Sequence, residues 1–411
     1  MSDLFWPGDE RAGALLSDRT LLDAMIMVED GWLAALVDAG VAPAAASASL
    51  TGLVGEDDLP VLAAHAEAGG NPVITLVALL RERSSGESVR WLHRGLTSQD
   101  VVDTALVLCL QQVSRRVEAE QRRQVEVLTG LAAEHATTPM VGRTLTQPAV
   151  PITFGLKAAV WLTGILDAAE ILATARERLA VQVGGAAGTL AAPVELAVLA
   201  GQPDPARTVD ALVHGLAARL GLTIRSPWHT VRTPFTAVAD ALVSCCDAYG
   251  HLATDVTTLS RPEIGELSEG AGGGSSTMPH KQNPVLSVLI RRAALTAPGL
   301  AATVHLAAAT TLDERPDGAW HAEWAALRDL GRRTVVAASQ AGDLLTGLRV
   351  DSAAMAANLG AAYGVDAEQR SLAALVGGEP SASYLGLTDQ LIARAVERGH
   401  AFLTTTKEYE L

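Results

Sequence analysis

Cysteine, aromatic residues and basic side chains are all scarce in this 411-residue sequence, and each shortage removes a class of protein. The three cysteines, Cys109 and the adjacent Cys245 and Cys246, are odd in number and form no C-x-x-C pair. Neither a disulfide framework nor a thiolate metal or redox site can be drawn from them, and they read as reduced, core-filling thiols. With 31 Lys and Arg against 46 Asp and Glu the formal charge is −15, the wrong sign for holding nucleic acid or anionic lipid by neutralising phosphate. Neither nucleic acid nor a membrane is expected as a partner. No unbroken run of 18 or more apolar residues occurs, and the opening MSDLFWPGDERAG lacks a basic region followed by an apolar one, so the cytoplasm is the expected compartment. No G-x-S-x-G elbow, no G-x4-G-K-[ST] loop and no G-x-G-x-x-G after a strand is present, which removes the common hydrolase, P-loop and Rossmann chemistries. The ten histidines contain no H-E-x-x-H pair, so no metal and no cofactor is expected.

What is abundant is helix. Hydrophobic residues make up 49% of the chain and aromatics 4%, a balance suited to helices packed through Ala, Leu and Val. From Gln99 to His135 there is no proline, and Val102, Ala105, Cys109, Val113 and Val117 mark one stripe of a helix about 50 Å long. Similar stretches run over residues 148–182, 234–260, 285–310 (with Pro298 inside) and 320–345. Strand-like alternation is scarce. The expected class is all-α, a central bundle of long helices with more apolar surface than one chain can cover, hence a homo-oligomer. Residues 184–205 and 223–234 read as connections, and 261–284 as a long glycine-bearing loop of the functional kind. The expected division is an N-terminal helical domain over 1–93, the bundle over 94–346 and a short C-terminal helical domain over 347–411.

Two motifs carry chemistry. GSSTMPHKQNP at 274–284, preceded by Gly270, Gly272 and Gly273, is too specific for a linker. It offers a serine base for a proton next to a carboxylate, backbone N–H groups for the developing charge, and a lysine and an amide to hold the carboxylate. HRGLTSQD at 93–100 precedes the longest helix. Thr97, Ser98 and Asp100 read as an N-terminal capping box, and a helix N-terminus bearing two hydroxyls is also an anion site.

These two motifs, together with GRTLTQPAVP at 142–151 and PWHTVR at 227–232, resemble the fumarase/aspartase superfamily of homotetrameric lyases, and within it the 3-carboxy-cis,cis-muconate cycloisomerase branch. SDRTLLDAM at 17–25, GNPVITLV at 70–77, VGGAAGTLA at 183–191, ERPDGAWHAEW at 314–324 and SYLGL at 383–387 extend the likeness along most of the chain. The resemblance implies a fumarase/aspartase-like fold. It implies Ser275 as the catalytic base, the N–H groups of Ser276, Thr277 and Met278 as an oxyanion site, and Lys281 and Asn283 as a carboxylate-binding pair. It also places Thr97 and Ser98 as a second such pair and His93, Thr144, Gln147, His229, Arg232 and Arg315 as substrate-binding residues. Sites shared among subunits of a homotetramer, a small polycarboxylate substrate and a role in protocatechuate catabolism follow from the same resemblance.

The chain departs from the superfamily at Leu145, where adenylosuccinate lyase, argininosuccinate lyase and fumarase carry histidine. Leucine transfers no proton, so the leaving group must depart unaided. A carboxylate, with a pKa near 4, does so at neutral pH, whereas an amine does not. Interconversion of 3-carboxy-cis,cis-muconate and 4-carboxymuconolactone therefore fits better than an adenylosuccinate lyase-like reaction. Loss of nitrite from a nitrosuccinate-like substrate fits as well. A non-catalytic helical oligomer is the alternative from another class. Further departures are Gln282, where relatives commonly have arginine, and a C-terminal region shortened after Asp351.

Overall fold

The computed structural model describes residues 3–270, 273–274, 277–278 and 281–405. Its helices are, in chain order, α1 (Asp18–Asp38), α2 (Leu59–Gly69), α3 (Val73–Arg83), α4 (Ser88–Trp91), α5 (Ser98–Glu134), α6 (Phe154–Glu177), α7 (Ala191–Leu199), α8 (Pro205–Leu220), α9 (Thr233–Leu259), α10 (Val285–Ala309), α11 (Gly318–Gly347), α12 (Ser352–Ala361), α13 (Ala367–Val376) and α14 (Thr388–Thr405). Strands β1 (Pro139–Thr144) and β2 (Gln147–Thr153) form one antiparallel pair, and β3 (Leu267–Ser268) and β4 (Arg349–Val350) another. The all-α expectation holds, and the long helices fall where apolar periodicity places them.

The chain divides into two compact units. One comprises Met1–Arg115, Leu172–Leu242 and Pro298–Arg333; the other comprises Arg116–Ile171, Val243–Ala297 and Thr334–Leu411. In the first unit, α1 is capped by Ser17, whose side chain accepts from the Thr20 N–H, and packs on α8. Leu22, Leu33 and Leu36 of α1 are fully buried, as are Leu212 and Leu216 of α8. Asp204, Pro205 and Gly221 delimit α8 as N-cap, first-turn proline and left-handed C-cap, in line with their backbone preferences. In the second unit, Cys245 and Cys246 of α9 lie among α5, α6 and α11 partners. All three cysteines are buried free thiols, and burial pushes Cys109 and Cys246 up to about 12, so they stay protonated and inert.

Two expectations change. The helix expected from 148 begins at Phe154, because Pro148 to Thr153 pair with β1. Two prolines and the β-branched Val150, Ile152 and Thr153 favour an extended chain there. The pairing bulges around Gly142, where a Cβ would lie 2.8 Å from the Val150 carbonyl oxygen. The connection over 184–205 contains a nine-residue helix, α7. Helices α6 and α10 are long and apolar enough to cross a bilayer by length and composition, and, as expected, neither is an unbroken apolar run. Of their most apolar stretches, 56% is buried inside the protein for α6 and 28% for α10.

Candidate active site

The expected site residues fall into two groups, one in each unit. His93, Thr97, Ser98, His229, Arg232 and Arg315 belong to the first unit. Thr144, Gln147, Thr277, Met278, Lys281 and Asn283 belong to the second. Ser275 and Ser276 lie outside the described residues.

In the first group, α5 begins at Ser98 with Thr97 as the preceding residue and Asp100 in the first turn. The Asp100 carboxylate accepts from the Thr97 N–H at 2.9 Å, which is the reciprocal half of a capping box. It also accepts from the Gly184 and Gly185 N–H groups, from Gln182 Nε2 and, at 2.8 Å, from His229 Nε2. One buried carboxylate thus ties the start of α5, the 182–185 segment and the PWHTVR segment together. The motifs VGGAAGTLA and HRGLTSQD meet here for a steric reason as well. A Cβ on Gly184 would come within 2.5 Å of His229 Cε1. The hydroxyls of Thr97 and Ser98, half-buried at the N-terminus of a 37-residue helix, have no hydrogen-bond partner among the described residues, the arrangement an anion needs.

His93 adopts a left-handed backbone (φ 60°), and its Nδ1 lies 2.6 Å from Glu29 Oε1. Its backbone neighbours are also fixed. The Leu92 carbonyl accepts from Arg81 and the Arg94 carbonyl from Trp32 Nε1. Arg315 lies half-buried near Trp320, with its guanidinium carbon 6.0 Å from the indole centroid.

Arg232 corrects an expectation. Its side chain is 0% exposed, and its N–H groups are directed at Asp103 and Glu323, with Nη1 also reaching the Trp228 and His229 carbonyls. No donor is left for a substrate carboxylate, so this arginine holds the PWHTVR segment against α5 and α11 instead. Burial pulls the guanidinium down, but Asp103 and Glu323 outweigh it and leave its pKa raised. Glu323 is pushed up by burial, which its hydrogen bonds to Arg232 only partly offset. His229 is also enclosed, at 3% exposure, with Nδ1 buried and unpartnered.

In the second group, Thr144 and Gln147 face each other as the last pair of β1–β2. The two residues between them, Leu145 (φ 49°) and Thr146 (φ 71°), are both left-handed, as a type I′ hairpin requires. Neither residue type favours that conformation, and Leu145 is 96% exposed at the tip. Behind the hairpin, Arg143 grips Glu266 through both terminal nitrogens (3.0 and 2.6 Å). A cavity of about 460 Å³ opens there, lined by Arg143, Thr146, Lys157, Asp255 and Arg261 among others.

The 261–284 loop is anchored at its foot. Gly273 and Asn283 exchange backbone hydrogen bonds at 2.9 and 2.8 Å, which closes the segment between them into a loop, and a Cβ on Gly273 would strike Val285 at 2.1 Å. Glu269 caps α10 by accepting from the Leu286 and Ser287 N–H groups and from the Ser287 hydroxyl. Within the loop, the Lys281 N–H donates to the Met278 carbonyl at 3.0 Å, and Lys281 and Thr277 are exposed. Among the described residues, Asn283 Nδ2 reaches the Gly274 carbonyl, at 3.4 Å.

Sequence reasoning read Asp100 as a cap and missed its link to His229; it passed over Glu29, Asp103, Glu269 and Glu323. The available signal was an acidic residue inside an apolar helical stretch, as Glu323 is between Ala322 and Trp324.

Residues 70–299, more than half of the chain, match the family described as lyase, and the chain belongs to that family, within the fumarase/aspartase superfamily. It is 39% identical over 396 residues to nitrosuccinate lyase of Streptomyces davaonensis, covering 94% of this chain and 82% of that protein. It is 38% identical over 398 residues to 3-carboxy-cis,cis-muconate cycloisomerase of Pseudomonas aeruginosa, covering 94% and 83%. The crystal structure of 3-carboxy-cis,cis-muconate lactonizing enzyme from Pseudomonas putida superposes with a TM-score of 0.83 at 31% identity, over 95% of this chain and 97% of that one.

Proposed function

We propose that this lyase is a cytoplasmic cycloisomerase that interconverts 3-carboxy-cis,cis-muconate and 4-carboxymuconolactone without a cofactor. Ser275 takes the proton next to one carboxylate, and the N–H groups of Ser276, Thr277 and Met278 face the resulting dianion. Lys281 and Asn283 hold that carboxylate. Thr97 and Ser98 bind a second carboxylate at the N-terminus of α5, and Thr144, Gln147, Arg315 and His93 are further substrate-binding residues of a site shared among subunits. Holding both ends of one molecule supplies the orientation that an intramolecular reaction exploits.

The observation that carries this reading is Leu145, which stands at an exposed hairpin tip with no proton to give. The group that leaves in lactone opening is a carboxylate, which needs none. Nitrite is also a weak base, and the 39% identity to nitrosuccinate lyase makes release of nitrite from nitrosuccinate the second reading. Following the ultraviolet absorbance of 3-carboxy-cis,cis-muconate tests the first: turnover by the protein and loss of at least about a thousandfold in Ser275→Ala support it. No absorbance change, with nitrite formed from nitrosuccinate, replaces it by the second.

Both readings use a homotetramer with shared sites. Support comes from α10, where Leu295 and Leu306 are 80% and 66% exposed on a helix whose apolar stretch is largely uncovered within one chain. Light scattering after size exclusion tests the assembly, and a monomer at working concentration rejects it.

A further inference from the structure

Glu29 is an acidic residue of α1 with 1% exposure, on a helix face that also buries Met25, Ile26, Trp32 and Leu33. One of its oxygens, Oε1, lies 2.6 Å from His93 Nδ1; the other, Oε2, is buried with no hydrogen-bond partner. A carboxylate buried with half its acceptors unused is costly unless a charge or strong donor compensates it. The imidazole of His93 is the compensating group. The His93 side chain is 20% exposed, against 1% for that of Glu29. The left-handed backbone at His93, a conformation that a non-glycine residue keeps only where its surroundings hold it, is pinned on both sides by the Arg81 and Trp32 hydrogen bonds. Thr97 and Ser98 follow four and five residues later, at the start of α5.

We propose that Glu29 is a positioning residue acting through His93. By accepting from Nδ1 it fixes the orientation of the ring, and when the ring carries both protons Nε2–H is offered to the anion that leaves the substrate. The inference rests on the lyase reaction proposed above and deepens it. As the bond from carbon to the leaving group breaks, its electron pair stays on the departing carboxylate or nitrite. Nε2–H donates a hydrogen bond to an oxygen of that anion and keeps its proton. The contact strengthens as charge develops, so its effect appears in kcat.

The test is a double-mutant cycle of Glu29→Gln and His93→Asn, asparagine being chosen because it tolerates the left-handed backbone. With 3-carboxy-cis,cis-muconate or nitrosuccinate as substrate, Glu29→Gln is expected to lower kcat about 10- to 100-fold with KM changed less than about threefold. In the His93→Asn background the same change is expected to leave kcat within about twofold. Equal loss in both backgrounds, or no loss in either, overturns the proposal. If the unaltered protein turns over neither substrate, the functional reading fails, and the pair is read by calorimetric titration with tricarballylate. Glu29→Gln then weakens binding about tenfold only when His93 is present. Equal affinities for the two proteins, or equal weakening in both backgrounds, overturns the inference without reference to turnover.

Discussion

Arg232 and Asp103 meet as a two-bond ion pair, Nη1 to Oδ2 at 2.6 Å and Nη2 to Oδ1 at 3.0 Å, with both side chains fully buried. Glu323 takes the guanidinium from its other side at 2.6 Å. Removing one member of such a cluster leaves an uncompensated buried charge, which costs about 3–5 kcal/mol. Arg232→Met is therefore expected to lower the thermal midpoint strongly. Arg232→Lys loses the fork geometry and falls between the two. Calorimetric unfolding of the three proteins checks this order. A midpoint unchanged in Arg232→Met shows that the cluster does not hold the segment.

The contact between Gly184 and His229 gives a second expectation. A methyl group at 184 would meet His229 Cε1 at 2.5 Å and Gly188 Cα at 3.1 Å. His229 is enclosed and Gly188 Cα is backbone, so Gly184→Ala must push the imidazole off Asp100 or shift the backbone. A loss of about 1–3 kcal/mol is expected from overpacking of this kind, and the same substitution in a His229→Ala background is expected to cost less. Denaturant midpoints measure both.

The Asp58 carboxylate accepts from both terminal nitrogens of Arg83 and from the Gly55 N–H, and these bonds lower its pKa from 3.8 to about 2. The folded state therefore binds the proton more weakly than the unfolded state. The stabilisation is complete above about pH 3.8 and disappears as the pH falls through about 2. Arg83 is 38% exposed, so solvent screening limits the effect to about 1 kcal/mol or less. Asp58→Asn is expected to flatten the stability curve between pH 4 and 2 by about that amount, as read by urea titration at each pH.

How far the sequence revealed this arrangement depends on what kind of signal each part carries. The helix α5 was legible because Val102, Ala105, Cys109, Val113 and Val117 repeat at helical spacing, and periodicity is a local property. The β1–β2 hairpin was not, because its turn is Leu-Thr where Asn-Gly would announce it, and its prolines read equally well as the start of α6. The motif residues stood out by identity, since a string such as GSSTMPHKQNP has no reason to occur by composition. Their partners did not. Asp103, Glu269 and Glu323 act through contacts as far as 217 residues away in sequence, and a single chain of letters does not record which carboxylate meets which donor. Arg232 was misplaced for the same reason. Its membership in a motif was visible, and the two acids that occupy it were not.

The strain at the hairpin tip yields the last expectation. Leu145 and Thr146 both sit at positive φ, which costs a side-chain-bearing residue on the order of 1 kcal/mol each. Replacing them with the preferred pair, Leu145→Asn with Thr146→Gly, is expected to relieve that strain and to raise stability by about 1–2 kcal/mol. A conformation kept against local preference, with a leucine 96% exposed to water, is poorly explained by the stability of one chain. If the tip closes over substrate and excludes water, the more stable variant turns over more slowly, with thermal midpoint and kcat moving in opposite directions. Measuring both on the same preparation separates the cases. A variant that gains stability and keeps full turnover assigns the leucine no part in the reaction and removes the physical argument that ties Leu145 to a leaving group departing without a proton.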